Sequence, residues 1–150
     1  MDHDFNASEL ISMGIGASFI ALLIWFNRGL FRRGAGISLL EIVYYLCAFA
    51  GLGIGYYFNF NYMRMYEGES GWWHWMTMIF VNPASASAAQ DLTIANVILL
   101  PLWTIIDGRR RGMPAPWLYF PMSVFTSFAF GMAMYLAFQE RQLRLTAKAS

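Results

Sequence analysis

The chain has 150 residues, of which 58% are hydrophobic and 13% are charged, and it carries a net charge of +1 at pH 7. Soluble domains have roughly 45–50% apolar and about 25% charged residues, so this composition excludes an ordinary soluble enzyme and a disordered chain. The low net charge argues against a nucleic-acid partner, because phosphate backbones are bound by clustered positive charge. We predict one all-α integral membrane domain over residues 1–150.

The N-terminal segment, residues 1–9, contains three acidic residues and no Lys or Arg. A secretory signal peptide needs a basic N-terminal region, so the apolar run that follows is expected to remain as a membrane span. This first span covers residues 10–27, has no charge and is just long enough for the hydrocarbon core of a bilayer.

The second predicted span covers residues 37–58 and has Glu41 near its start. Gly51 and Gly55 share one helix face, and this spacing predicts close packing against another helix. Cys47 is expected to be a small buried hydrophobe, since a single cysteine cannot form an internal disulfide. The chain has no CxxC or HExxH motif, and we predict no metal site.

The next segment, residues 72–81, is too short to span a bilayer and contains three Trp residues and His74. We predict that it lies at the membrane interface or dips into the bilayer as a re-entrant segment, with His74 and Trp75 near the headgroups. We also predict that this segment packs as a lid over the Asp91 face of the third span, which would make a cavity open to the outer leaflet. His74 would then approach a carboxylate and could act as a general base.

The third predicted span covers residues 83–107 and has a clear start. Asn82 suits the N-cap of a helix, and Pro83 suits the first helical position. Pro101 lies inside this span and is expected to kink the helix near residues 97–98, because proline removes a backbone hydrogen bond.

The fourth predicted span covers residues 117–138 and contains a row of small residues at Ala129, Ala133 and Ala137. The polar tail that follows is expected to fray. Two arginine-rich loops, 28–33 and 109–111, are separated by two spans and should lie together on the cytoplasmic side. In this four-span topology both termini face outward from the cell's inner (plasma) membrane.

Five short stretches resemble a known family: Asn82-Pro83-Ala84, Asp91-Leu92, Asp107-Gly108-Arg109-Arg110-Arg111-Gly112-Met113, Trp117-Leu118-Tyr119 and Glu140-Arg141. With the apolar runs between them, residues from about 39 to 145 resemble small bacterial membrane proteins of the family called domain of unknown function 2834. The resemblance implies a compact helical membrane fold and a bacterial origin, with the first span as an N-terminal addition. It implies no activity, because none is established for that family.

Ionisable side chains inside spans are costly, so each is a candidate functional residue. Asp91 falls in the outer third of the bilayer, with Gln90 beside it and Asn82 at the start of its helix. It is either a ligand or proton site in a water-filled cavity or a structural polar contact. Glu41 lies near the inner end of its span, among loop arginines, and is expected to form an ion pair. Asp107 is expected to do the same at the end of its helix.

The chain contains 6 Trp, 8 Tyr, 13 Phe and 10 Met residues, which suit a membrane belt and core or a pocket for a flat apolar molecule. We favour a non-catalytic accessory subunit or a binder of a quinone, a carotenoid or another isoprenoid. Its partners would be the bilayer, that lipophilic molecule, and a membrane protein complex or a second copy; no cofactor is specified. The residues predicted to bind the ligand are Asp91, Gln90, Asn82, His74 and Trp75.

The alternative hypothesis is a membrane-embedded enzyme acting on an isoprenoid or a lipid. Asp91 or Glu41 would be its general acid, and His74 is a further catalytic candidate. These groups are scattered along the chain, whereas a catalytic site needs several groups that converge. The sequence therefore favours the non-catalytic hypothesis.

Overall fold

The computed structural model describes residues 7–32 and 36–149, and this part of the chain is helical without strands. Seven α-helices follow one another: α1 (Ala7–Arg32), α2 (Leu39–Tyr66), α3 (Trp72–Met78), α4 (Pro83–Ile94), α5 (Leu100–Arg110), α6 (Tyr119–Phe125) and α7 (Phe128–Ala149). A π-helical segment, Ala95–Leu99, joins α4 to α5, and 3₁₀ turns occur at Glu67–Glu69 and Pro116–Leu118.

Local capping explains where the long helices begin and end. The Ser38 hydroxyl accepts a hydrogen bond from the Glu41 amide at 3.1 Å and caps α2. The Asn82 side chain accepts one from the Ser85 amide at 3.0 Å, which confirms the predicted start of the third span. Gly112, with a φ of 66°, ends α5, because glycine adopts this left-handed conformation without strain.

Three helical stretches are long and apolar enough to cross a membrane: Ala7–Phe31, Leu39–Glu69 and Pro83–Arg110. Their mean hydropathies are 1.9, 1.6 and 1.5. The first three predicted spans lie largely within them, so an all-helical protein with membrane-spanning helices is supported. Most side chains of these stretches are not buried inside the protein, as expected for helices that face lipid.

The predicted fourth span is not confirmed, because residues 117–138 do not form one continuous helix. Helix α6 ends at Phe125, Thr126 leaves helical geometry with φ −128° and ψ −86°, and α7 starts at Phe128. The two helices then pack tightly side by side. A Cβ atom on Gly131 would lie 2.7 Å from Ser123 Cβ, too close for any other residue without rearrangement. Together α6 and α7 form a helical hairpin.

The hairpin lies against α2, with α7 antiparallel to it. Paired residues run from Gly55 and Ser127, through Gly51 and Ala129 and through Tyr45 and Phe138, to Glu41 and Arg141. Gly55 is about 24 Å along α2 from its start, and about 16 Å of helix remains beyond it. The tip of the hairpin therefore lies inside the bundle, and we call a hairpin whose tip stops within the bundle re-entrant.

The other two long helical stretches pack on the remaining sides of the hairpin. A Cβ atom on Gly16 of α1 would lie 2.8 Å from the Phe125 carbonyl oxygen, and one on Gly108 of α5 would lie 2.6 Å from Pro116 Cβ. The buried core consequently belongs mainly to the hairpin and the turn before it. Its most buried large side chains are Leu118, Tyr119, Met122, Phe130, Tyr135 and Phe138.

The hairpin determines which segments lie together at each end of the molecule. The arginine end is formed by the end of α1, the start of α2, the end of α5 and the C-terminal part of α7. The far end is formed by the start of α1, the end of α2, α3 and the start of α4. The tail is helical to Ala149 instead of frayed, because Arg141 and Arg144 bind Glu41. The described termini therefore lie at opposite ends, unlike the prediction that both face the same side.

Two local expectations have different outcomes. A π-helical segment, Ala95–Leu99, lies just before Pro101, at the position where the kink near residues 97–98 is predicted. Cys47 is exposed, so the prediction of a buried cysteine is wrong. Its neighbour Ala48 takes the buried position, because adjacent helical residues point about 100° apart.

The glycines of α2 test the packing of the hairpin. Gly51→Ala should destabilise the protein by about 1–3 kcal/mol, since its Cβ would meet Ala129 Cβ at 2.7 Å. Gly53→Ala faces open space and should be neutral or stabilising, because alanine is the better helix former. Thermal unfolding in detergent measures both variants. Equal melting temperatures would contradict the contact between α2 and α7.

Candidate functional site

A fully buried carboxylate, Glu41, is the centre of the arginine end. Arg141 Nη1 donates to Glu41 Oε1 at 2.6 Å, and Arg144 donates to Oε2. The Tyr45 hydroxyl donates to Oε1 at 3.0 Å. The predicted ion pair of Glu41 is thus confirmed, but its partners come from the C-terminal tail and not from the arginine-rich loops.

The same arginines connect three helices. Arg141 Nε donates to the Leu30 carbonyl oxygen at 3.1 Å, and its guanidinium lies 4.4 Å from the centre of the Phe31 ring. Arg144 forms a second ion pair with Glu140 at 3.3 Å, and Glu140 accepts a hydrogen bond from the Ser38 hydroxyl at 3.2 Å. We call this cluster around Glu41 the carboxylate–arginine lock, because it joins α1, α2 and α7.

A second network joins α5 to α7. Asp107 Oδ2 accepts hydrogen bonds from Arg111 Nε at 2.7 Å, the Tyr135 hydroxyl at 2.7 Å and Gln139 Nε2 at 2.6 Å. This confirms the expectation of an ion pair at the end of the helix. The hydrogen bond to Asp107 raises the pKa of the Arg111 guanidinium, which stays charged. Each of the two carboxylates therefore accepts hydrogen bonds from three side chains.

The sequence did not reveal which residues of α7 take part in the two networks. Tyr135, Gln139 and Gln142 recur at helical spacing and face α5, whereas Phe138 and Arg141 face α1 and α2. The signal was the helical period of these polar residues, which continues past residue 138. This spacing does not stand out in the sequence, because the tail is polar in composition.

At the far end, a cover segment (residues 67–78, including α3) packs on the ends of α1 and α2. The Tyr62 hydroxyl lies 2.7 Å from His74 Nδ1, and the Tyr66 ring packs edge-on against His74 with centroids 4.8 Å apart. The Ser70 hydroxyl donates to the Glu9 carboxylate, and both of these residues are buried. His74 is thus held against α2.

The other predicted site residues are less buried and interact locally. Asn82 is exposed and caps its own helix, and Gln90 and Asp91 are exposed and hydrogen-bonded to each other. Trp75 is half-buried in α3. In the described parts of the chain, the hydrogen bonds of Asp91 and Asn82 do not reach His74.

The parts of α1 and α2 that lie between the hairpin tip and the cover segment form a region that we call the far-end site. One boundary of this site is the hairpin tip, where Gly16 and Gly55 contact Thr126 and Ser127. Seven residues of helix, about 10 Å, separate Gly55 from Tyr62 beneath the cover segment. Helices α1 and α2 pack extensively on the hairpin and are hydrogen-bonded to the cover segment through Glu9 and Tyr62, but they pack little on each other.

Half-buried side chains of α1 and α2 within the far-end site are Ser12, Met13, Tyr56 and Asn59. The amide of Asn59 has no hydrogen-bond partner in the described residues. The site therefore combines apolar and aromatic surface with a few polar groups, among them the amide of Asn59. In residues 7–32 and 36–149, no group of three or more His, Cys, Asp or Glu side chains is placed to hold a metal ion.

The chain belongs to the family described as "Protein of unknown function DUF2834", whose model matches residues 43–141. This match confirms the resemblance seen in the sequence, and it indicates no specific activity. The matched region covers α2 from Val43, α3 to α6, and α7 as far as Arg141. No curated protein and no solved structure shows significant similarity to the chain.

The carboxylate–arginine lock can be tested by removing one charge. Glu41→Gln leaves Arg141 buried without its counter-ion and should destabilise the protein by about 3–5 kcal/mol. Glu140→Gln is the matched control, since Glu140 is partly exposed and its loss should cost about 1 kcal/mol or less. Thermal and denaturant unfolding in detergent measure both. Equal losses would show that Glu41 is not the centre of the network.

Proposed function

We propose that the protein is a non-catalytic integral membrane protein that binds a lipophilic small molecule in the far-end site. The observation that carries this proposal is the length of the re-entrant hairpin. It extends from the arginine end only as far as Gly55, and α1 and α2 pack little on each other. An apolar ligand would supply the missing contacts.

The lining favours a flat molecule with one polar group, such as a quinone or another isoprenoid. Met13 and Tyr56 offer flexible and aromatic apolar surface, and Asn59 offers an amide for a carbonyl or hydroxyl group. His74 and Trp75 lie in the cover segment and would close the site. Among the residues predicted from the sequence, these two stay in the proposed site, whereas Asp91, Gln90 and Asn82 do not.

The enzyme hypothesis has weaker support. Glu41 accepts hydrogen bonds from three side chains, which leaves little capacity for proton transfer to a substrate. Asp91 is exposed, and its hydrogen bond is to the adjacent Gln90. A reaction needs converging groups around a shared position, and neither acid has them.

We also propose an orientation in the plasma membrane, with the arginine end in the cytoplasm. Basic residues of the described chain cluster at that end: Arg28, Arg32, Arg109, Arg110, Arg111, Arg141, Arg144 and Lys148. Arg64 is the basic residue at the other end. This asymmetry supports an external N-terminus and a cytoplasmic C-terminus under the positive-inside rule.

Single cysteines test the orientation in a Cys47→Ser background. Ser8→Cys should react with a membrane-impermeant maleimide in intact cells, and Lys148→Cys should react only after the cells are permeabilised. Both positions are exposed in the structure, so burial does not hide either one. Labelling of Lys148→Cys from outside would contradict the orientation.

The proposed ligand can be tested with two adjacent tyrosines. Tyr56 is half-buried toward the far-end site, whereas Tyr57 is 63% exposed on the opposite face. Tyr56→Ala should lower the amount of co-purified lipophilic molecule about tenfold, by loss of roughly 1.5 kcal/mol of apolar contact. Tyr57→Ala should leave it unchanged. Mass spectrometry of organic extracts from protein in mild detergent measures this molecule.

Two outcomes would overturn the proposal. One is that the wild-type protein carries no stoichiometric lipophilic molecule when it is extracted from its native membrane. The other is that both variants carry as much as the wild type. Melting temperatures of the three proteins show whether a loss reflects unfolding instead.

A further inference from the structure

The end of α5 carries two arginines that form no hydrogen bond or ion pair in the two carboxylate networks. Arg109 and Arg110 are exposed and form no ion pair within the described residues. Arg28, near the end of α1, also lacks an acidic partner there, and its guanidinium lies 3.8 Å from the centre of the Trp25 ring. Three charged groups at the arginine end are therefore available to an external anion.

The fold places these groups at the same end of the molecule. The 3₁₀ turn Pro116–Leu118 packs against both α1 and α5 and so connects the two helices that carry them. Trp117 in this turn is 51% exposed, and Trp25 on α1 is 59% exposed. We call Trp25, Arg28, Arg109, Arg110 and Trp117 the basic surface.

The acids at this end do not neutralise the basic surface. Glu41 is paired with Arg141 and Arg144, Glu140 with Arg144, and Asp107 with Arg111. The remaining charge is thus positive. Tryptophan side chains favour the level of lipid headgroups, with the ring against the glycerol and acyl region. A phosphate on a diacylglycerol would satisfy both the arginines and the tryptophans.

We propose that the basic surface binds anionic phospholipid headgroups in the leaflet that contacts the arginine end. The lipid is preferred over free phosphate because the two exposed tryptophans add contacts that only a lipid uses. This site lies at the opposite end from the far-end site. It is independent of the lipophilic ligand proposed there.

The test compares phosphatidylglycerol with phosphatidylcholine of the same acyl chains, each added to protein in a neutral detergent. Phosphatidylglycerol should raise the melting temperature of the wild type more than phosphatidylcholine does. The double variant Arg109→Gln/Arg110→Gln should bind phosphatidylglycerol about 30-fold more weakly, from about 1 kcal/mol for each arginine. Arg64→Gln, an exposed arginine at the far end, is the control and should retain wild-type binding.

Further measurements support or contradict the proposed lipid site. Native mass spectrometry should show phosphatidylglycerol retained by the wild type and by Arg64→Gln, and lost from the double variant. Equal stabilisation by the two lipids, or full retention of phosphatidylglycerol by the double variant, would contradict the proposal that the basic surface binds anionic lipid. Equal stabilisation by glycerol phosphate without acyl chains would overturn the lipid as the bound species.

Discussion

The fully buried carboxylate of Glu41 is the constraint on which the structure depends. A buried charge without a counter-ion costs several kcal/mol, and the cost is higher within a bilayer. Its counter-ions, Arg141 and Arg144, lie 100 residues or more away in sequence. The chain must therefore bring the end of α7 back to the start of α2. It can do so only if the segment after α5 turns round inside the bundle, at Thr126 and Ser127.

The return of α7 to the start of α2 affects both ends of the molecule. The hairpin buries its own side chains against three helices that otherwise face lipid, so the core is concentrated between residues 113 and 141. Because the hairpin stops at Gly55, about 16 Å of α2 extends beyond it, and this is where we propose that a ligand binds. Because the lock uses Arg141 and Arg144, and Asp107 uses Arg111, Arg109 and Arg110 remain for the proposed headgroup site.

Much of the fold was predictable from local signals. Uninterrupted apolar runs identified the first three spans, and the Asn82–Pro83 pair and the Gly51–Gly55 pair identified a helix start and a packing face. The hairpin was not predictable in this way, since hydropathy is the same for a spanning helix and for a buried hairpin. Its turn at Thr126 and Ser127 contains neither Gly nor Pro. The lock depends on a long-range pairing, which no local pattern of the polar tail reveals.

Distances between paired spin labels test the re-entrant hairpin most directly. In a Cys47→Ser background, labels at Ile37 and Thr146 should be close, because Arg144 donates to the Gly36 carbonyl. Labels at Ser8 and Thr146 should be separated by a distance on the order of 35 Å, about the length of α1. If Thr146 is instead near Ser8 and far from Ile37, α6 and α7 cross the membrane as one span and the account of the hairpin is wrong.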